Sequence, residues 1–124
     1  MKQYTNESQT AKLIGLGFDK PKSIGGYEPT FVVEYEGVEV SNVIIGENKQ
    51  YPIYAYSIGE LIEMLPKKLD TATDDTAYLE ISWDNIGWRV DYVYFGFFLY
   101  TSMAIELIDT LYDMCVKLKE EGVI

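Results

Sequence analysis

Tyr78-Leu79-Glu80-Ile81-Ser82-Trp83-Asp84-Asn85-Ile86-Gly87-Trp88-Arg89-Val90-Asp91-Tyr92-Val93-Tyr94-Phe95-Gly96-Phe97-Phe98-Leu99-Tyr100 reads as a β-hairpin, and it decides the fold. Its arms, Tyr78 to Trp83 and Trp88 to Phe95, are rich in the aromatic and β-branched residues that suit a pleated, half-buried surface. Asp84-Asn85-Ile86-Gly87 between them is a short turn, with Asn85 and Gly87 able to take positive φ. In the second arm Trp88, Val90, Tyr92 and Tyr94 share one face, while Arg89, Asp91, Val93 and Phe95 share the other. Both faces are partly apolar, and one layer of helices hides only one of them. Some of Trp88, Tyr92, Tyr94 and Tyr54 are therefore expected at the surface. Exposed apolar patches mark interfaces, and Trp and Tyr are enriched in their hot spots. The competing reading is an aromatic-rich core.

Upstream of the hairpin, Ser57 and Glu60 form a capping box, and Ile58, Leu61, Ile62 and Leu65 make an apolar stripe that Pro66 ends. Tyr51 to Tyr56 leads into this helix, and Lys67 to Thr76 is a polar loop. Further upstream, Phe31 to Tyr35 and Val38 to Ile45 alternate apolar and polar residues around Glu36-Gly37, as a second hairpin does. Gly46 to Gln50 follows as a polar turn. The chain opens with a short helix capped by Thr5 or Asn6 and ended by Gly15 and Gly17, before a loop from Lys20 to Pro29. Downstream, a last helix is predicted from Thr101 or Ser102 to about Glu121. Its stripe is Ala104, Leu107, Ile108, Leu111, Met114, Cys115 and Leu118, and Gly122 caps it. The order α-β-β-α-β-β-α predicts an α+β fold, with three helices against an antiparallel sheet of about four strands formed by two hairpins. No linker or internal repeat divides residues 1–124, so one domain is expected.

The net charge is −10 over 124 residues, and it is uneven. Residues 1–50 carry seven acids against five bases; residues 51–124 carry thirteen against five. Such a surface repels phosphate, so direct nucleic-acid binding is not expected. It suits solubility, attraction to a basic protein surface, or imitation of DNA. There is no histidine, which removes the commonest general base and metal ligand together. The single cysteine, Cys115, allows no internal disulfide. The absence of an apolar leader or a membrane-length apolar run makes the cytoplasm the expected location.

Few residues form a pattern with chemistry in it. Asp70, Asp74 and Asp75 lack the spacing, central glycine and closing glutamate of a calcium loop, so a solvated turn is expected. Asp84 with Asp91, or Glu80 with Asp91, could pair as acid and base only in a desolvated cleft. Asp84 reads more simply as a turn residue, and Asp91 as a partner for Arg89 or a lysine. Cys115 lies on an apolar stripe without a neighbouring base and reads as a core thiol. Gly15-x-Gly17 and Gly25-Gly26 lack the context of a phosphate loop. No catalytic residue, metal or cofactor is predicted.

Three segments carry a resemblance. Tyr56-Ser57-Ile58-Gly59-Glu60-Leu61-Ile62-Glu63-Met64-Leu65-Pro66, the stretch Glu106 to Ile124, and Gln9 to Ile14 followed by Gly17-Phe18-Asp19-Lys20-Pro21 together span roughly a third of the chain. They resemble small hypothetical proteins of gut Bacteroidales and of their phages and mobile elements. The resemblance implies a mobile-element origin and brings no catalytic residue, ligand or cofactor. The expected function is non-enzymatic protein interaction, with a protein partner or a second copy; a narrower form is an acidic inhibitor of a DNA-binding or defence protein. The alternative is a small-molecule or peptide-binding domain, with a cleft lined by Tyr54, Tyr56 and Trp88 near the Ser57 and Thr101 helix starts.

Overall fold

The last helix, α3 (Leu107–Glu120), buries Leu107, Ile108, Leu111, Met114, Cys115 and Leu118 of the predicted stripe, whereas Ala104 ends a strand before the helix begins. A computed structural model describes residues 1–29, 34–35, 38–39 and 50–124, with side chains described outside 27–51. The other helices are α1 (Glu7–Gly15) and α2 (Ile58–Met64). The strands in chain order are β1 (Ser23–Pro29), β2 (Glu34–Tyr35), β3 (Val38–Glu39), β4 (Gln50–Ala55), β5 (Lys68–Asp70), β6 (Thr76–Trp83), β7 (Trp88–Tyr94) and β8 (Phe97–Ala104). The fold is mixed α+β, with three helices and antiparallel sheets.

The four-stranded sheet has the order β5-β6-β7-β8, a meander in which each strand pairs with the next. The hairpin β6–β7 is its centre, with Tyr78 opposite Val93 and Trp83 opposite Trp88. Strands β1 and β4 pair as a separate ribbon, and β2 pairs with β3 through Glu34↔Glu39 and Tyr35↔Val38. The remaining arms of that predicted hairpin, Phe31–Val33 and Val40–Ile45, lie outside the described residues, as do its Glu36-Gly37 turn and residues 46–49.

Local chemistry explains most boundaries. Asn6 accepts from the Gln9 backbone N–H at 2.7 Å while the Gln9 side chain accepts from Asn6 N–H, and Ser57 and Glu60 repeat this reciprocal box on α2. Helices α1 and α3 both end in a Schellman motif, through Gly17 (φ 100°) and Gly122 (φ 73°). Thr101 and Ser102, predicted to open the last helix, belong instead to β8. They pair with Asp91 and Val90, and the helix begins after Glu106 with no side-chain cap. The loop predicted from Lys20 to Pro29 is likewise strand from Ser23, because β4 gives it a pairing partner.

The β6–β7 turn is closed by a side chain and not by positive φ. The Asp84 carboxylate accepts the backbone N–H groups of Ile86 at 2.8 Å and Gly87 at 2.9 Å. Gly87 is required for space, since a Cβ there would lie 2.6 Å from the Ala104 carbonyl oxygen.

Helix α3 packs on β7, β8 and α2, and the core joins it to Leu13, Tyr56, Leu61, Leu65, Ala77, Val90 and Tyr92. Leu111→Ala should lower stability by about 2–5 kcal/mol, whereas Ser57→Ala should cost about 1 kcal/mol. Urea unfolding monitored by circular dichroism checks both, and near-equal costs would contradict this division between core and cap.

Candidate functional site

Among the described residues, the sheet side chains joined to the helical core lie on the face that carries Val90 and Tyr92, and no helix covers the opposite, open face. Cross-strand register places three rows on that open face: Tyr78–Val93–Phe98, Glu80–Asp91–Thr101 and Ser82–Arg89–Met103. A register shift after Tyr92 inserts Leu99 as an extra residue, which brings Phe98 rather than Leu99 opposite Val93. Tyr78 is 59% exposed, Phe98 56% and Met103 47%.

A polar cluster lies at the middle of this surface. Asp91 is buried although it is on the open side, because its neighbours close over it. Arg89 approaches its carboxylate through Nε at 3.3 Å and Nη2 at 3.4 Å, and Thr101 donates to it at 2.8 Å. The Arg89 guanidinium also lies 5.0 Å from the centroid of the Phe98 ring. At the sheet edge Lys117 of α3 donates to the Thr101 carbonyl, which occupies part of the backbone that β8 would offer to another strand.

The β7–β8 connection forms the tip of the surface. Phe95 (φ 48°) and Gly96 (φ 77°) make a tight two-residue turn, and Phe95 is 81% exposed. Positive φ at both positions is the geometry that favours Asn-Gly; a phenylalanine there costs roughly 1–2 kcal/mol. Phe97 beside it is exposed as well.

The predicted surface residues are redistributed. Tyr92 is fully buried and its hydroxyl donates to the Pro66 carbonyl at 2.6 Å, so it is a core residue and not part of an exposed surface. Trp88 and Tyr94 share its helix-facing side and are half-buried against the core. Trp83 packs edge-on to Trp88 and is the more exposed of the pair. Tyr54 is exposed, but on β4 beside α1, in a shallow cavity with Thr5, Ala11, Ile14 and Ile53. Thus the structure does not gather these four residues at one surface. Phe98 and Met103 are surface residues that residue type alone does not single out, although Gly96 between aromatic residues is a turn signal that divides β7 from β8.

Nor do Tyr54, Tyr56 and Trp88 meet in one cleft. Tyr56 lines a cavity of about 460 Å³ with Phe18, Glu60 and Met64, and its hydroxyl donates to the Asp19 carbonyl. Of the acidic groups, Asp84 serves the turn, and the backbone N–H groups of Ile86 and Gly87 hold its carboxyl below its ordinary range. Asp75 accepts from the Thr73 hydroxyl at 2.7 Å within its own loop. Among the described residues no three or more Cys, Asp or Glu side chains converge to hold a metal, and no helix is long and apolar enough to cross a membrane.

No family model matches the chain, and neither a curated protein nor a solved structure matches it.

Phe95→Asn should stabilise the protein by about 1 kcal/mol, a rise in Tm of roughly 4 °C, because Asn tolerates left-handed backbone. An unchanged or lowered Tm in a thermal melt would contradict the strain assigned to this turn. A second test is alkaline. Burial pushes the Cys115 thiol up to about 12 and raises the Tyr92 phenol, so both ionise more readily in the unfolded chain. Their stabilisation is complete below about pH 9 and declines as pH climbs toward 12. The urea midpoint should fall between pH 7 and pH 10 by the equivalent of roughly 1–2 kcal/mol, and Cys115→Ala should remove most of that slope.

Proposed function

We propose that this chain is a non-enzymatic interaction protein that docks a protein partner on the open face and tip of its β6–β7–β8 sheet. The observation that carries this reading is the set of large apolar side chains left in water on a single surface: Tyr78, Phe98 and Met103 on the face, with Phe95 at its tip. Exposed apolar patches rimmed by polar groups mark interaction sites in folded proteins. The backbone strain at Phe95 adds support, since such strain persists where a function uses it.

A homo-oligomer built on this face would set Glu80 and Asp91 near their own copies in an already acidic protein, so a different partner fits better. The acidic charge accords with the narrower reading, an inhibitor of a DNA-binding or defence protein encoded by a phage or mobile element. We place its action in the cytoplasm.

The test is a double variant, Tyr78→Ser with Phe98→Ser, compared with Tyr54→Ser on the far ribbon. Both changes lie at exposed positions; apart from the lost Arg89–Phe98 contact, worth about 0.5–1 kcal/mol, they should leave stability unchanged, so the double variant stays folded. Association in a native-host lysate, followed by tagged capture and mass spectrometry, should disappear for the double variant and persist for Tyr54→Ser. Capture that survives the double variant would overturn the assignment of the surface.

A further inference from the structure

The open face places two carboxylates side by side. Glu80 lies directly opposite Asp91 in the β6–β7 register, and paired side chains on one face of an antiparallel sheet have Cβ atoms about 4.5–5.5 Å apart. Like charges at that spacing oppose pairing, yet this register is the one the core selects, because Leu79 and Ile81 must face the helices. Asp91 is supported from one side by Arg89 and Thr101. Arg89 is itself held between that carboxylate and the Phe98 ring. Among the described residues no cation bridges Glu80.

One guanidinium therefore answers two carboxylates at the centre of an otherwise apolar surface. The imbalance continues toward the β5–β6 end. Asp70 shares the open face with Lys68, and Asp74 and Asp75 border a cavity of about 340 Å³ walled by Tyr78, Val93 and Phe95. Five acids on this side face two bases. Tyr78 and Phe98 flank the central carboxylates, and aromatic faces attract cations as well as alkyl stems.

We infer that the partner presents a lysine- or arginine-bearing apolar segment to this surface, with its cation seated at Glu80, the exposed carboxylate beside buried Asp91 and its partner Arg89, and its apolar residues on Tyr78 and Phe98. This inference rests on the docking reading above. Charge complementarity selects the occupant: anionic lipid, nucleic acid and a second copy of this chain would each bring negative charge to an acidic centre.

The test uses the full chain labelled with ¹⁵N and a short capped peptide alternating lysine and leucine. Counterparts carry glutamine or glutamate in place of lysine, and vesicles of phosphatidylglycerol and phosphatidylcholine serve as a further probe. The lysine peptide should shift amides along β6, β7 and β8 near Glu80 and Phe98. Glu80→Gln should weaken it about fivefold, the scale of one solvent-accessible ion pair, and Glu63→Gln on α2 should leave it unchanged. Equal binding of the glutamine peptide on the same amides would overturn the charge selection and leave the docking surface intact. Preference for vesicles or for the glutamate peptide, shifts confined to other elements, or no binding of any peptide would overturn the inference. The Tyr78 and Phe98 capture experiment decides the docking reading independently.

Discussion

The contact between the apolar stripe of α3 and the Val90–Tyr92 side of β7 organises this molecule. Six apolar α3 side chains, from Leu107 to Leu118, are removed from water there, together with Val90 and Tyr92. Burying each large aliphatic or aromatic side chain contributes on the order of 1.5–3 kcal/mol before the entropy of ordering it is counted. Helix α2 joins through Leu61 and Leu65, whereas α1 reaches the same core chiefly through Leu13. The short elements depend on this contact, because helices of their length are marginal alone.

The same contact explains the open face. Only one layer of helices is available, so choosing the Val90–Tyr92 side commits Arg89, Asp91 and Val93 to the other. Tyr78, Phe98 and Met103 then follow from hydrogen-bond register alone. The polar centre of that face is built without long-range help, since Arg89 and Asp91 are two apart on one strand and Thr101 is the cross-strand neighbour of Asp91. It is rigid because its guanidinium is held by both a carboxylate and a ring. The strained turn at Phe95 and the adjacent carboxylates of Glu80 and Asp91 are local costs that the rest of the fold tolerates, and both lie on this one surface.

Much of this was readable from residue types. Capping boxes at Asn6 and Ser57, the glycine stops after α1 and α3, and the stripe of α3 depend on contacts within a few residues, so pattern suffices to find them. The β6–β7 hairpin was legible because both arms carry strand-forming residues and Asp84 to Gly87 is a strong turn. Thr101-Ser102 misled because hydroxyl residues before an apolar stripe suit a helix cap as well as a strand, and pairing with Asp91 and Val90 resolved the ambiguity. Cys115 was recognisable as a core thiol, since its helical spacing matched that of Leu111 and Leu118.

The sequence by itself determined the three helices, the β6–β7 hairpin, the α+β class, the acidic charge and the division of β7 into two faces. Those follow from dihedral preference, capping chemistry and the period of two along a strand. Tertiary structure decided which face α3 covers, and with it that Tyr92 is core while Phe98 is surface. It also decided that Tyr54 lies on a ribbon apart from β7, and that the Leu99 bulge turns Phe98 outward beside Arg89. Alternation along a strand says which side chains travel together, but not which way they face. That choice is made only when a helix distant in sequence packs against one side and excludes water from it.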